Sequence, residues 1–197
     1  MTELQQPSAF REQQKGTSRA GNSDSTRWKI EMETRTEPPY RGNEKETLVG
    51  FLRFVRETIV QKCNGLTEEQ MHSTPTVSRM SLMGMVKHLT IVERYWFQGV
   101  FLDADVDLPW SEDDPDGDWR TNESDTAEAA LAAYLAECEI SDRIVRDHEM
   151  ERLASWATSA EEVRSLRWIL VHMIEETARQ CGHADILREA IDGEIGE

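Results

Sequence analysis

Apolar side chains recur every three or four residues through most of the chain, the period of a helix with one buried face. Leu48, Phe51, Leu52, Val55 and Ile59 mark a first such stretch, which Gly65 closes. Thr67-Glu-Glu-Gln70 has the form of a capping box over a short turn. Pro75 and Thr76 lead into a second helix, about Ser81 to Phe101, whose inner stripe is Leu82, Met85, Val86, Leu89, Val92, Trp96 and Val100. A third helix runs from about Thr126 to His148 on Ala127, Leu131, Tyr134, Cys138, Ser141 and Val145. A fourth, capped by Ser159 or Ser165, reaches about Ile191, with Gly193 just past its end. No stretch alternates with period two, no Asn-Gly or Asp-Gly hairpin separates apolar runs, and no internal repeat is present. The pattern predicts an all-α, up-and-down four-helix bundle.

The intervening segments sharpen this picture. Residues 103–122 (DADVDLPWSEDDPDGDWRTN) are acidic and rich in turn formers, and read as a long solvated loop between the second and third helices. Asp103-x-Asp105-x-Asp107 suggests calcium, but an EF-hand loop needs Gly at its sixth position and Glu at its twelfth, where this chain has Leu108 and Asp114. Pro38-Pro39 and Gly42 make residues 33–43 an extended lead-in. Residues 1–31 have almost no aliphatic side chains, so they are expected to be a disordered extension ahead of a bundle domain at 32–197. Met32 opens the segment of different character and reads as the natural start.

Charge and cysteine content narrow the setting. Lys and Arg number 22 against 38 Asp and Glu, a net charge of −16 that disfavours nucleic acid as a partner. No apolar run approaches the ~20 residues that span a bilayer. Cys63, Cys138 and Cys181 are odd in number, widely spaced and without C-x-x-C pairing. They read as reduced thiols in a cytoplasmic protein, not as a disulfide frame or zinc knuckle.

Bundles build metal sites from His and carboxylate side chains on facing helices. The fourth helix offers His172, Glu176, Gln180 and His183. At 100° per residue these stand at about 0°, 40°, 80° and 20°, one polar stripe. Only neighbours one turn apart can share an ion, so the workable pairs are His172/Glu176, Glu176/Gln180 and Gln180/His183. The apolar face centres at about 110–120°, which points Gln180 nearly inward, Glu176 partly inward, and His172 and His183 to the rim. On the second helix His88 is also at the rim, while Glu93 falls inside the apolar arc, where a carboxylate usually pairs with Arg or Lys. His72 and His148 fall at a loop and a helix end and read as solvated. Cys181 faces the core side and reads as an inert buried thiol.

Three stretches together resemble a known family: Glu37-Pro-Pro-Tyr40, Ser81-Leu-Met-Gly-Met-Val-Lys-His-Leu-Thr-Ile-Val-Glu-Arg-Tyr-Trp-Phe97 and the segment from Ser165-Leu-Arg-Trp168 through His172, Glu176 and Gln180 to Glu189. They are similar to the mini-circle-protein branch of the DinB-like superfamily, over about Met32 to Gly193. The resemblance implies a four-helix bundle, often a homodimer, holding a divalent metal such as zinc or nickel. Its metal ligands would be a His on the second helix and an i,i+4 pair on the fourth. In this chain they fall on His88, Glu176 and Gln180, with His172 as the second choice and His183 nearby. The branch generally has His where this chain has Gln180, and a neutral amide is a poorer ligand for zinc or nickel. Relatives include S-transferases and isomerases that use low-molecular-weight thiols such as mycothiol, bacillithiol or glutathione. The expected function is a metal-dependent thiol S-transferase with a weakened metal site. The alternative is a non-catalytic bundle that binds a small molecule or a partner.

Overall fold

Helix α1 (Glu44–Cys63) begins where Asn43 and Glu46 exchange hydrogen bonds, each side chain accepting from the other's backbone N–H at 2.9 Å. These residues belong to a computed structural model that describes residues 35–196; the expected disordered extension at 1–31 lies outside them. The short α2 (Glu68–His72) starts on the Thr67/Gln70 box. Helix α3 (Leu82–Glu93) is capped by Ser81, whose hydroxyl accepts from the Gly84 N–H at 3.0 Å. Helix α4 (Ala127–Asp147) is capped by Thr126. Helix α5 (Leu166–Asp192) is capped by Ser165, while Ser159 precedes only a short 3₁₀ turn at Ala160–Glu162. Gly193 ends α5 in the left-handed conformation (φ 80°), which glycine adopts without penalty. The described residues form an all-α structure in which α1 lies along α5 and α3 along α4.

The second long helix departs from the expected plain α-helix. After Glu93 it continues as a π-helix over Arg94–Phe101. In a straight α-helix Trp96 would stand about 80° around the axis from His88. The wider π winding turns each residue through a smaller angle and brings Trp96 back toward the side on which His88 lies.

Two apolar clusters fill the interior. One gathers Ile59, Met71, Leu82, Leu89, Leu131 and Tyr134, the other Leu52, Phe97, Phe101, Ile169, Leu170 and Met173. At their boundary along α1, α3 and α4 sits a buried ion pair. Arg56 Nε and Nη2 donate to the two Glu93 oxygens at 2.7 and 2.6 Å, and Nη1 donates to Asp142 at 2.8 Å. Glu93 is therefore a paired structural carboxylate, as its place in the apolar arc implied. All three cysteines are free and buried. Burial raises the Cys138 thiol's pKa and pushes those of Cys63 and Cys181 up to about 12. The Cys181 S–H donates to the Val55 carbonyl at 3.3 Å.

Candidate functional site

His88 on α3 faces Glu176 on α5, with Nε2 and Oε1 3.5 Å apart, longer than an ordinary N–H···O bond of about 2.9 Å. The other ring nitrogen is held firmly: Nδ1 lies 2.6 Å from Asp118 Oδ2. Asp118 is only 4% exposed, although it belongs to the acidic segment expected to be a solvated loop. That expectation fails locally because a 3₁₀ turn, Gly117–Trp119, folds back onto α3. Trp119 stacks its indole on the His88 ring at 4.2 Å and 19°. Two glycines permit the approach. A Cβ on Gly84 would meet the Trp119 carbonyl at 2.8 Å, and one on Gly117 would meet the Pro109 carbonyl at 2.1 Å. Asp103, Asp105 and Asp107 are all exposed.

On α5 the predicted stripe forms a relay. Gln180, buried as the wheel implied, donates its Nε2 to Glu176 Oε1 at 2.9 Å. Its own oxygen is 3.1 Å from His183 Nδ1 and accepts from it. The structure thus joins Asp118, His88, Glu176, Gln180 and His183 in one chain of contacts. His172 is directed elsewhere. It stacks on Trp168 (5.2 Å, 14°) and meets Trp96 edge-on (4.6 Å), one turn away from Glu176. His72 and His148 are not the solvated residues expected. His72 Nε2 lies 3.0 Å from the Asp125 carbonyl, and His148 Nδ1 donates to the Ile144 carbonyl at 2.7 Å.

Electrostatics reinforce the arrangement. Burial disfavours the imidazolium, but Glu176 and Asp118 on either side outweigh it, and the His88 pKa is raised. The hydrogen bond from His88, aided by Gln180 and Arg179, lowers the Glu176 pKa to about 2. His172, set among indoles, is instead lowered by burial.

The donor set can be tested against a divalent ion. A carboxylate on one imidazole nitrogen that leaves the other facing a second carboxylate is the arrangement that orients a histidine ligand. His88 and Glu176 fit this requirement, and Gln180 adds an amide oxygen now engaged by His183. Among the described residues no three His, Cys, Asp or Glu side chains gather as a metal site.

The described residues form a helical bundle, and the chain belongs to the DinB-like superfamily. Within it, this chain belongs to the Mycothiol-S-transferase family, whose family model matches residues 47–193. No curated protein and no solved structure matches the chain significantly. No helix among the described residues is long and apolar enough to cross a membrane.

Proposed function

We propose that this chain is a divalent-metal-dependent thiol S-transferase, using a mycothiol- or bacillithiol-type thiol, with a metal site weakened at position 180. The observation that carries the reading is the clamped His88. Asp118 and Trp119 fix its ring so that Nε2 faces Glu176, an ordering that an idle surface histidine does not require. His88 and Glu176 would hold the ion, zinc or nickel, with the Gln180 oxygen as a weak third donor. When bound, such an ion lowers the pKa of a thiol and orients its sulfur. Asp118 keeps the proton on Nδ1 and leaves Nε2 free for the ion. Trp119 covers one face of the ring and excludes water there. The three protein thiols, buried and strongly protonated, leave the reacting sulfur to come from a second molecule.

The stretches 81–97 and 165–189 support placement in the mini-circle-protein branch, and the chain would act in the cytoplasm as a homodimer. Sedimentation equilibrium checks the dimer, and a lone 22.6 kDa species at micromolar concentration would exclude it. The functional reading is tested by elemental analysis of untagged protein, followed by a thiol–electrophile conjugation screen with and without added zinc or nickel. Metal-stimulated conjugation that is lost in His88→Ala supports it. A protein that takes up neither metal at micromolar levels leaves the non-catalytic binding bundle as the better account, an alternative favoured by the engaged Gln180 amide.

A further inference from the structure

Helix α5 is apolar on two opposite sides. Its inner face, with Leu166, Leu170, Met173 and Ala184 fully buried, packs into the bundle. Its outer side carries Trp168, Val171, Ala178, Gly182 and Ile186, all exposed. At 100° per residue from His172 these five stand between about 240° and 320°, opposite an inner face centred at about 110–120°. Trp168, Val171 and Ile186 leave 45%, 51% and 56% of their surface to solvent. Single apolar residues on a surface are ordinary, but a row of them along one side of a helix marks an interaction surface. The row runs from Trp168 to Ile186, roughly 27 Å at 1.5 Å per residue.

Gly182 gives a second reason to place a partner there. It lies in the interior of α5, where glycine weakens a helix and where no turn or positive φ calls for it. A Cβ at this position would meet no described atom within 4 Å. The crowding that a glycine relieves is therefore not found among the described residues, and the close approach of a second helix accounts for it.

The charged positions say which partner. Between Trp168 and Ile186 the exposed residues include only two charges, Glu175 and Arg179, which pair with each other along the helix. The stripe is thus neutral in a chain of net charge −16, whose surface at large repels a second copy. Trp168 and Ile186 stand nine residues either side of position 177, and Glu175 and Arg179 two residues either side. An antiparallel copy of α5 crossing at that level sets each Glu175 against the Arg179 of the other copy. It also sets Trp168 against Ile186 and Val171 beside Gly182, with Ala178 next to the two-fold axis. A parallel copy would instead set Glu175 against Glu175 and Arg179 against Arg179.

We infer that the occupant of this face is a second copy of the chain, and that two α5 helices pack antiparallel along the stripe around Ala178. The inference rests on the homodimer of the preceding reading and is independent of the chemistry at His88 and Glu176. The test is sedimentation equilibrium of the full, untagged chain at micromolar concentration. Wild type should give twice 22.6 kDa. Ala178→Arg, which keeps a good helix former at an exposed position, should weaken association about a hundredfold or more. Glu175→Arg and Arg179→Glu should each weaken it about tenfold or more, because both symmetric pairs become like-charged, and the two changes together should restore it. Melts followed by circular dichroism establish that each variant is folded. A wild type of 22.6 kDa overturns the interface together with the dimer, and leaves the transferase reading to the metal and conjugation assays. A dimer that survives Ala178→Arg, or single reversals that the double swap does not rescue, keeps the dimer and overturns α5 as its interface.

Discussion

Replacing Gln180 with His should trade stability of the metal-free protein for metal affinity. The amide makes two hydrogen bonds in a nearly buried position, to Glu176 at 2.9 Å and from His183 at 3.1 Å. An imidazole cannot reproduce both, and each contributes about 1 kcal/mol net, so Gln180→His should cost about 2 kcal/mol without metal. At 2–4 °C per kcal/mol for a chain of this size, Tm in a chelator should fall by about 4–8 °C. Against that loss, a second nitrogen donor, the third good ligand, joins His88 and Glu176. An affinity gain of tenfold or more corresponds to about 1.4 kcal/mol per decade. At zinc one hundred times above Kd, binding itself adds about 2.7 kcal/mol, enough to recover the lost degrees. Calorimetric titration of zinc and nickel into both proteins, with thermal melts in chelator and in zinc, measures each part. If Gln180→His binds neither metal more tightly than the parent, and His88→Ala changes nothing, then His88, Glu176 and position 180 do not make the site.

Three further outcomes are expected. Gly84→Ala should drive the Gly117–Trp119 turn off α3, because its Cβ would lie 2.8 Å from the Trp119 carbonyl; loss of Trp119 stacking should show in near-ultraviolet circular dichroism, and metal affinity should fall about 10–100-fold. In metal-free protein, Glu176→Gln should narrow its stability deficit against wild type on both sides of a window between about pH 4.5 and 6.5. Below that window the Glu176 contribution is lost as pH falls from its ordinary 4.5 toward about 2, and above it the His88 contribution is lost as pH rises through its raised pKa; urea melts across pH check both limbs. Glu93→Ala should strip a buried Arg56 of its partner at a cost of about 3–5 kcal/mol, lowering Tm by roughly 10 °C, while Asp142→Ala, at the half-exposed end of the same network, should cost far less.

The helices were legible because a 3.6-residue period survives in the order of residues alone. Leu82 to Val100, Leu131 to Val145, and Leu166, Leu170 and Met173 mark faces that the structure buries. Glu93 was legible for the same reason, since a carboxylate inside an apolar arc demands a cation. The π-helix was not, because its apolar residues fall near the inner stripe under either winding. Asp118 was not, because its bond to His88 spans 30 positions and depends on how a loop returns to the bundle. The available signal was Trp119 itself, an indole in a stretch of turn formers and carboxylates, with Gly117 two positions before it. His172 was placed at the rim by the wheel, but no periodicity shows which neighbour across the groove a rim residue meets; the π winding decided that by presenting Trp96.

The burial of the three cysteines bears on self-inactivation. A protein that brings electrophiles to a sulfur exposes its own sulfurs to the same reagents. With pKa values of about 12, Cys63 and Cys181 present on the order of one thiolate in 10⁵ molecules at neutral pH, and both side chains are buried. Cys181 is the revealing case: it sits one residue beyond Gln180, yet its S–H is turned away to the Val55 carbonyl of α1. Turnover would consume the soluble thiol and spare the chain that carries it, so the protein should outlast many equivalents of an alkylating acceptor and become labelled only as it unfolds.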